Sequence, residues 1–121
     1  MPDTTTLIDR YIAAWNETAP TARRALVERV FAVDATYLDP MLQGEGHAGI
    51  DAMLAAVQGR FAGLRFRRAG TPDLHHDRVR FRWELAQGDG EAVAAGTDFA
   101  TVDDDGRLGA VTGFIDLMPA A

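Results

Sequence analysis

From Arg78 to Leu85 the chain alternates without a break: Arg78, Arg80, Arg82 and Glu84 are interleaved with Val79, Phe81, Trp83 and Leu85. Successive side chains of a β-strand leave on opposite faces, so this spacing describes a strand with one wet face and one buried face. Such a strand needs neighbours at its edges and a layer over its apolar side. The chain offers neighbours. Gly88-Asp89-Gly90 is a turn signal, and Ala92 to Val102 reads as a second long strand. Asp103-Asp104-Asp105-Gly106 marks the next turn, and Leu108 to Leu117 the last strand. That run predicts a three-stranded antiparallel meander with earlier strands added at its sides. Leu64 to Arg68 is one such strand, followed by a turn at Gly70-Thr71-Pro72-Asp73. Asp103 to Gly106 lacks the alternating acidic spacing and later Glu of a calcium loop, so it is a hairpin turn.

The covering layer comes from the first half of the chain. Leu7, Ile8, Tyr11, Ile12 and Trp15 fall at helical spacing, with Thr4 to Thr6 as N-cap hydroxyls. Asn16 to Pro20 interrupts that helix. A second follows, capped by Thr18, with Ala22, Leu26, Val27, Val30 and Phe31 as its buried stripe. Arg23, Arg24, Glu28 and Arg29 are expected on its solvated side. A third helix is expected from about His47 to Phe61, with Ile50, Met53, Leu54, Val57 and Phe61 inward and Gly63 ending it. A short strand at Ala35 to Leu38 separates the second helix from the third. The order α-α-β-α-β-β-β-β predicts an α+β fold with helices on one sheet face. With no repeat or linker in sight, residues 1–121 read as one domain.

Composition removes several functions. A net charge of −6 gives nucleic-acid binding no electrostatic support. All 12 basic residues are Arg, which with the many Ala residues suggests a GC-rich bacterial genome. Cysteine is absent, excluding disulfides, thiol catalysis and Cys-type metal sites. No run approaches a membrane span, and the N-terminus lacks a signal-peptide core, so a cytoplasmic protein is expected. No phosphate-loop, nucleophile-elbow or dinucleotide fingerprint is present. His75 and His76 would point to opposite faces of a strand and do not converge on a metal.

Three residues carry candidate chemistry. Asp39 ends the short strand, before Pro40 and a glycine-rich loop. A carboxylate there reads either as an ordinary turn opener or as a catalytic base. Asp98 lies inside a strand, on one face with Ala94, Gly96, Ala100 and Val102. A mid-strand carboxylate among small residues is unfavourable unless compensated. Either it pairs with an Arg, such as Arg82 on the neighbouring strand, or it faces a cavity with a shifted pKa. Tyr11 belongs to an apolar stripe, so its hydroxyl needs an interior partner, a backbone carbonyl in the simplest case. His47, at a helix start, reads most simply as partly exposed structure.

These residues resemble a family. Arg10 to Ala13, Asp34 to Pro40, Gly44 to Asp51, Thr97-Asp98 and Asp105 to Leu108 are similar to motifs of the nuclear transport factor 2-like superfamily. The similarity is to its SnoaL-like and ketosteroid isomerase-like branch, over roughly residues 5–117. The resemblance implies a cone: a strongly curved mixed or antiparallel sheet wrapped around three helices, enclosing a pocket open at one end. It also implies a homodimer through the outer sheet face.

Carried over, the resemblance makes Asp39 the general base, and Tyr11 and a protonated Asp98 the donors to an oxyanion. In ketosteroid isomerase the apolar site holds that carboxylic acid neutral. Trp15-Asn16 and Thr112-Gly113-Phe114 look more like generic SnoaL-like proteins. The Arg-x-Asp pair of limonene epoxide hydrolase-type members is absent, because residue 96 is Gly.

The resulting expectation is a small-molecule pocket protein for an apolar or carbonyl-containing ligand. Its activity would be that of an isomerase or cyclase doing cofactor-free, metal-free acid/base chemistry next to a carbonyl. The pocket is expected to be lined by Trp15, Val57, Phe61, Val111 and Ile115. The alternative is a non-catalytic ligand-binding or dimerisation module, with Asp39 capping a turn and Asp98 neutralised by an Arg.

Overall fold

The computed structural model describes residues 3–118. Helix α1 (Thr4–Asn16) and helix α2 (Pro20–Val30) run directly into strand β1 (Phe31–Leu38). A short β2 (Gln43–Glu45) leads into α3 (Gly46–Arg60). The remainder is β3 (Arg65–His75), β4 (Arg78–Ala86), β5 (Ala94–Val102) and β6 (Leu108–Leu117). They form one six-stranded mixed sheet in the order β2-β1-β6-β5-β4-β3. Strands β3 to β6 are an antiparallel meander, and β1 lies parallel to β6. The helices cover one face, and the sheet does not close. This is the α+β cone expected. No helix among the described residues is long and apolar enough to cross a membrane.

Several local expectations need correcting. Asp3, rather than Thr4 to Thr6, caps α1, accepting from Thr6 N at 2.8 Å. Ala19, not Thr18, stands at the N-cap of α2, with Pro20 filling the first turn. β1 starts at Phe31, four residues early. The apolar, β-branched run from Val30 to Val33 satisfies a helix end and a strand start equally, and pairing with β6 decides for the strand. Ala22 is exposed, whereas Arg23 is buried. The Arg23 Nε donates to Asp51 Oδ1 at 2.8 Å and its Nη1 to Gln58 Oε1 at 3.0 Å. A partner on α3, invisible from α2 alone, supplies what a buried guanidinium requires.

β3 also overruns its expected end. It passes through Gly70 to Asp73 with a register shift between Ala69 and Asp73, which admits Pro72 at a sheet edge. The actual turn is at His76, whose φ is 52°. The strand therefore has no pair of opposed histidine faces. Asp103 makes the hairpin turn expected of it: its Oδ1 accepts from Asp105 N and Arg107 N, both at 3.0 Å.

Helix–sheet docking uses side chains as substitutes for backbone. Asn16 acts as an extra strand residue beside β3. Its Nδ2 donates to Phe66 O at 2.9 Å, and its Oδ1 accepts from Phe66 N at 2.8 Å. Gln58 Nε2 donates to Trp15 O at 3.0 Å and Glu17 O at 2.9 Å, satisfying carbonyls left open at the end of α1. The core between helices and sheet includes Ile8, Tyr11, Val27, Val30, Phe31, Ile50, Leu54, Phe81, Leu108 and Val111.

Candidate active site

Between the helices and the concave sheet face lies a cavity of about 550 Å³. That volume suits a small organic ligand. Its walls are largely apolar and aromatic: Ile12, Trp15, Val57, Phe61, Phe66, Trp83, Leu85 and Ile115 contribute. The polar groups are Tyr11, Tyr37, Asp39 and Asp98, with Arg60 the one cation among the lining residues. Of the expected lining, Trp15, Val57, Phe61 and Ile115 face the cavity. Val111 does not; it is fully buried beside Tyr37 and Ala100 in the sheet. β6 enters the core at Leu108 and leaves it toward Ile115, so Val111 belongs to the closed end. Sequence periodicity gives the face of a strand but not the depth along it.

Asp98 is 1% exposed and pairs in register with Phe81, not Arg82. Arg82 faces Thr97 on the outer side of the sheet, so no guanidinium neutralises Asp98. Its partners are two neutral donors. The Tyr11 hydroxyl donates to Oδ2 at 2.7 Å, and the Trp83 indole Nε1 donates to Oδ1 at 3.0 Å. Burial pushes the Asp98 carboxyl up to about 6; the Tyr11 and Trp83 hydrogen bonds oppose the rise, and the charge of Asp39 adds to it. Burial and the Asp98 charge push the Tyr11 phenol well above its usual value, and Tyr37 likewise. Both phenols are hydrogen donors at any ordinary pH.

The small residues around Asp98 serve two ends. Ala94 lines the cavity, but the space over Gly96 is filled. A Cβ there would lie 2.3 Å from the Trp83 ring. Gly96 admits the indole that reaches Asp98.

Asp39 directly follows β1 and is both a turn residue and a cavity residue. Its Oδ1 accepts from Met41 N and Leu42 N, both at 2.8 Å, fixing the Asp-Pro turn. Its Oδ2 accepts from the Tyr37 hydroxyl at 2.7 Å. Tyr37 was not singled out in the sequence, although Ala35, Tyr37 and Asp39 share one face by strand alternation. Trp83 was likewise visible as an inward residue of β4 but not as a donor to Asp98.

The two tyrosine–aspartate pairs meet at Gly113 on β6. A Cβ on that residue would lie 2.9 Å from Asp98 Oδ1, 3.1 Å from the Tyr37 hydroxyl and 3.2 Å from Asp39 Cβ. Tyr11, Asp39 and Asp98 are thus brought to one cavity. His47 is not: its Nε2 lies 2.8 Å from Phe31 O, at the junction of α2 and β1. Among the described residues no group of three or more His, Asp or Glu side chains is arranged to hold a metal ion.

The model of the SnoaL-like domain matches residues 8–110. The chain belongs to the SnoaL-like family. Among solved structures, a candidate isomerase of this family from Agrobacterium tumefaciens is 46% identical. That match covers 92% of this chain and 95% of the other, with a TM-score of 0.87. A candidate polyketide cyclase from Sinorhizobium meliloti shares the fold at 18% identity and a TM-score of 0.68, over 93% of this chain and 94% of that one. A nuclear transport factor 2-like protein from an Exiguobacterium species does so at 22% identity and a TM-score of 0.70, over 91% and 98%. No curated protein matches the sequence. In this SnoaL-like chain the acidic cavity residues come from the turn after β1 and from β5, and the phenols from α1 and β1.

Proposed function

We propose that this SnoaL-like protein is an isomerase or cyclase that performs acid/base chemistry on a carbon next to a carbonyl. The observation that carries the reading is the convergence of Asp39 with the Tyr11–Asp98 pair at one end of an apolar cavity. Asp39, held as an acceptor by Tyr37 and two backbone amides, takes the proton from the carbon. The C–H electron pair moves into the C–C bond and the carbonyl becomes an enolate oxygen. The Tyr11 hydroxyl turns its one proton from Asp98 to that oxygen, and the protonated Asp98 donates its own. In an isomerase Asp39 returns the proton to another carbon; in a cyclase the enolate carbon attacks a second carbonyl, whose oxygen takes the proton back from Asp39.

For this role Asp98 must be protonated. With its carboxyl near 6, supplying that proton at pH 7 costs about 1.4 kcal/mol, a modest charge against the binding of an oxyanion. A buried ligand and its negative oxygen push the carboxyl higher still, in the same direction as burial already does.

The test is solvent deuterium exchange into a panel of small ketones, enones and β-dicarbonyls. Wild-type protein should catalyse exchange next to the carbonyl of at least one of them. Asp39→Asn should reduce it about 10²- to 10⁴-fold, as for the loss of a general base. Exchange that is undiminished in Asp39→Asn would remove the mechanism.

One observation favours a second reading, a ligand-binding module. The two amide bonds to Asp39 Oδ1 are those of a turn cap, sufficient by themselves to explain an Asp before Pro40. Absence of exchange with every compound, together with tight binding of one, would decide for it.

Either reading includes a homodimer through the outer sheet face. Phe99 and Phe114, on neighbouring strands of that face, are 41% and 59% exposed. A pair of exposed aromatics on the outer sheet face suits a second copy of the same surface. Light scattering should give twice the chain mass, and Phe114→Glu should halve it; a monomeric wild type would sink the dimer.

A further inference from the structure

Among the described residues the Trp15 indole Nε1 stands out as a buried side-chain nitrogen with no hydrogen-bond partner. Trp15 is 6% exposed. An indole N–H is a donor only, and buried ones nearly always find an acceptor. The other tryptophan obeys this rule, since Trp83 donates to Asp98 at 3.0 Å. Both rings line the same cavity.

The Trp15 ring cannot easily turn elsewhere. It packs edge-on against Tyr37 and Phe66, with ring centroids 5.3 and 5.2 Å away, and tilted against Tyr11 at 6.1 Å. Its backbone carbonyl is held by Gln58, which Arg23 holds in turn. Trp15 follows Tyr11 by four residues, on the same face of α1. Its indole favours the ionised form of the Tyr11 phenol, yet the nitrogen has no hydrogen-bond partner. This buried donor, on a residue that lines the cavity and beside the hydroxyl assigned to the oxyanion, has no acceptor within the protein.

We propose that Trp15 Nε1–H is a hydrogen-bond donor to the ligand, reading the same oxygen that Tyr11 holds. The inference rests on the oxyanion reading of Tyr11 given above, and it narrows the ligand class. With Tyr11 and Asp98 the oxygen then accepts from three donors at once, as an enolate or phenolate oxygen with three lone pairs does. An aromatic-walled cavity holding two carboxylates would otherwise suit an organic cation. An ammonium group has only hydrogens to give and leaves the Trp15 N–H unsatisfied, so amine ligands are disfavoured.

The experiment uses the whole chain and a nitrophenolate, with naphthalene as a probe of similar shape that has no oxygen. The chain has two tryptophans, hence two indole N–H signals in a ¹H–¹⁵N spectrum, assigned with Trp15→Phe. In the free protein the Trp83 proton should be the downfield one, and nitrophenolate should move the Trp15 proton downfield. Trp15→Phe should weaken nitrophenolate about 10- to 100-fold and change naphthalene binding less than about twofold.

An unmoved Trp15 signal with bound nitrophenolate, or equal loss of both probes in Trp15→Phe, overturns the inference while the Tyr11–Asp98 reading stands. No nitrophenolate binding to wild type overturns both. If Trp15→Phe does not fold, the signal shift in wild type decides by itself.

Discussion

The Tyr11 hydroxyl donates to Asp98 Oδ2 at 2.7 Å, joining two residues 87 positions apart. One sits on the first helix and the other on the fifth strand. Neither has another strong reason to be where it is: a phenol in a helix stripe and a carboxylate inside a strand each need a partner out of water. The bond answers both needs and leaves Asp98 without a counter-cation. Burial raises the Asp98 carboxyl, and the first two predictions follow from its titration.

Affinity for an anionic ligand should depend on pH. A nitrophenol acidic enough to remain a phenolate throughout requires a proton on Asp98 when it binds. Below about 6 the carboxyl already carries it. Above that value affinity should fall about tenfold per pH unit. Isothermal titration from acid to neutral pH measures this, and a flat profile would show that Asp98 does not donate to the ligand.

Stability should carry the opposite face of the same shift. The Asp98 carboxyl rises from 3.8 to about 6 on folding, so between those values the folded chain binds more protons than the unfolded one. Its contribution is therefore lost as pH rises through that window and stays lost above it. Asp98→Asn keeps an acceptor for Trp83 and removes the charge. Urea titrations should show it equal to wild type near pH 4 and more stable above pH 6, by on the order of 2–3 kcal/mol. A constant difference across that range would contradict the shift.

Gly113 and Gly96 should both resist substitution, with different consequences. Gly113→Ala puts a methyl among Asp98, Tyr37 and Asp39, mostly against movable side-chain atoms. It should cost about 1–3 kcal/mol and reduce exchange activity more than tenfold. Gly96→Ala meets the Trp83 ring at 2.3 Å and the Phe114 carbonyl at 2.5 Å. Backbone cannot yield as a side chain can, so this variant should be the less stable of the two. Thermal unfolding ranks them, and the reverse order would refute the argument.

Arg23 should matter far more than Arg24, one position on. Arg23 is buried against Asp51 and Gln58, and Gln58 carries the end of α1. Arg23→Met should cost about 2–4 kcal/mol, because it leaves a half-buried carboxylate and an amide oxygen unpaired. Arg24 pairs with Glu28 in the open, so Arg24→Met should cost less than about 0.5 kcal/mol. Denaturant midpoints of the two variants give the comparison; similar costs would mean that the Arg23 network is incidental.

The alternation from Arg78 to Leu85, the stripe from Leu7 to Trp15 and the inward face of Ala94, Gly96, Asp98 and Ala100 are local periodicities. They were legible because a strand or helix fixes which side a residue leaves from, whatever else the chain does. That sufficed for the α+β order and for Asp98 facing inward. It also isolated Tyr11 and Asp39 as polar groups in odd places. The errors fell where a distant segment decides. Arg23 looked like solvated surface until α3 brought Asp51 and Gln58 to it. Val111 looked like cavity wall until the path of β6 put it at the closed end. Pro72 looked like a turn until an edge-strand irregularity accommodated it.

The sequence by itself determined faces, the element order apart from the short β2, and the presence of three polar residues that a core does not want. Tertiary structure decided their partners. The register of β4 against β5 sets Phe81, not Arg82, beside Asp98, and so leaves the carboxyl buried without a cation. The same folding brings Trp83 over Gly96, Tyr37 to Asp39, and both acid pairs to Gly113. Hydrogen bonds and desolvation act over a few ångströms in space, without regard to distance along the chain. The charge state of Asp98 and the unsatisfied donor on Trp15 therefore exist only once the sheet has curved around the helices.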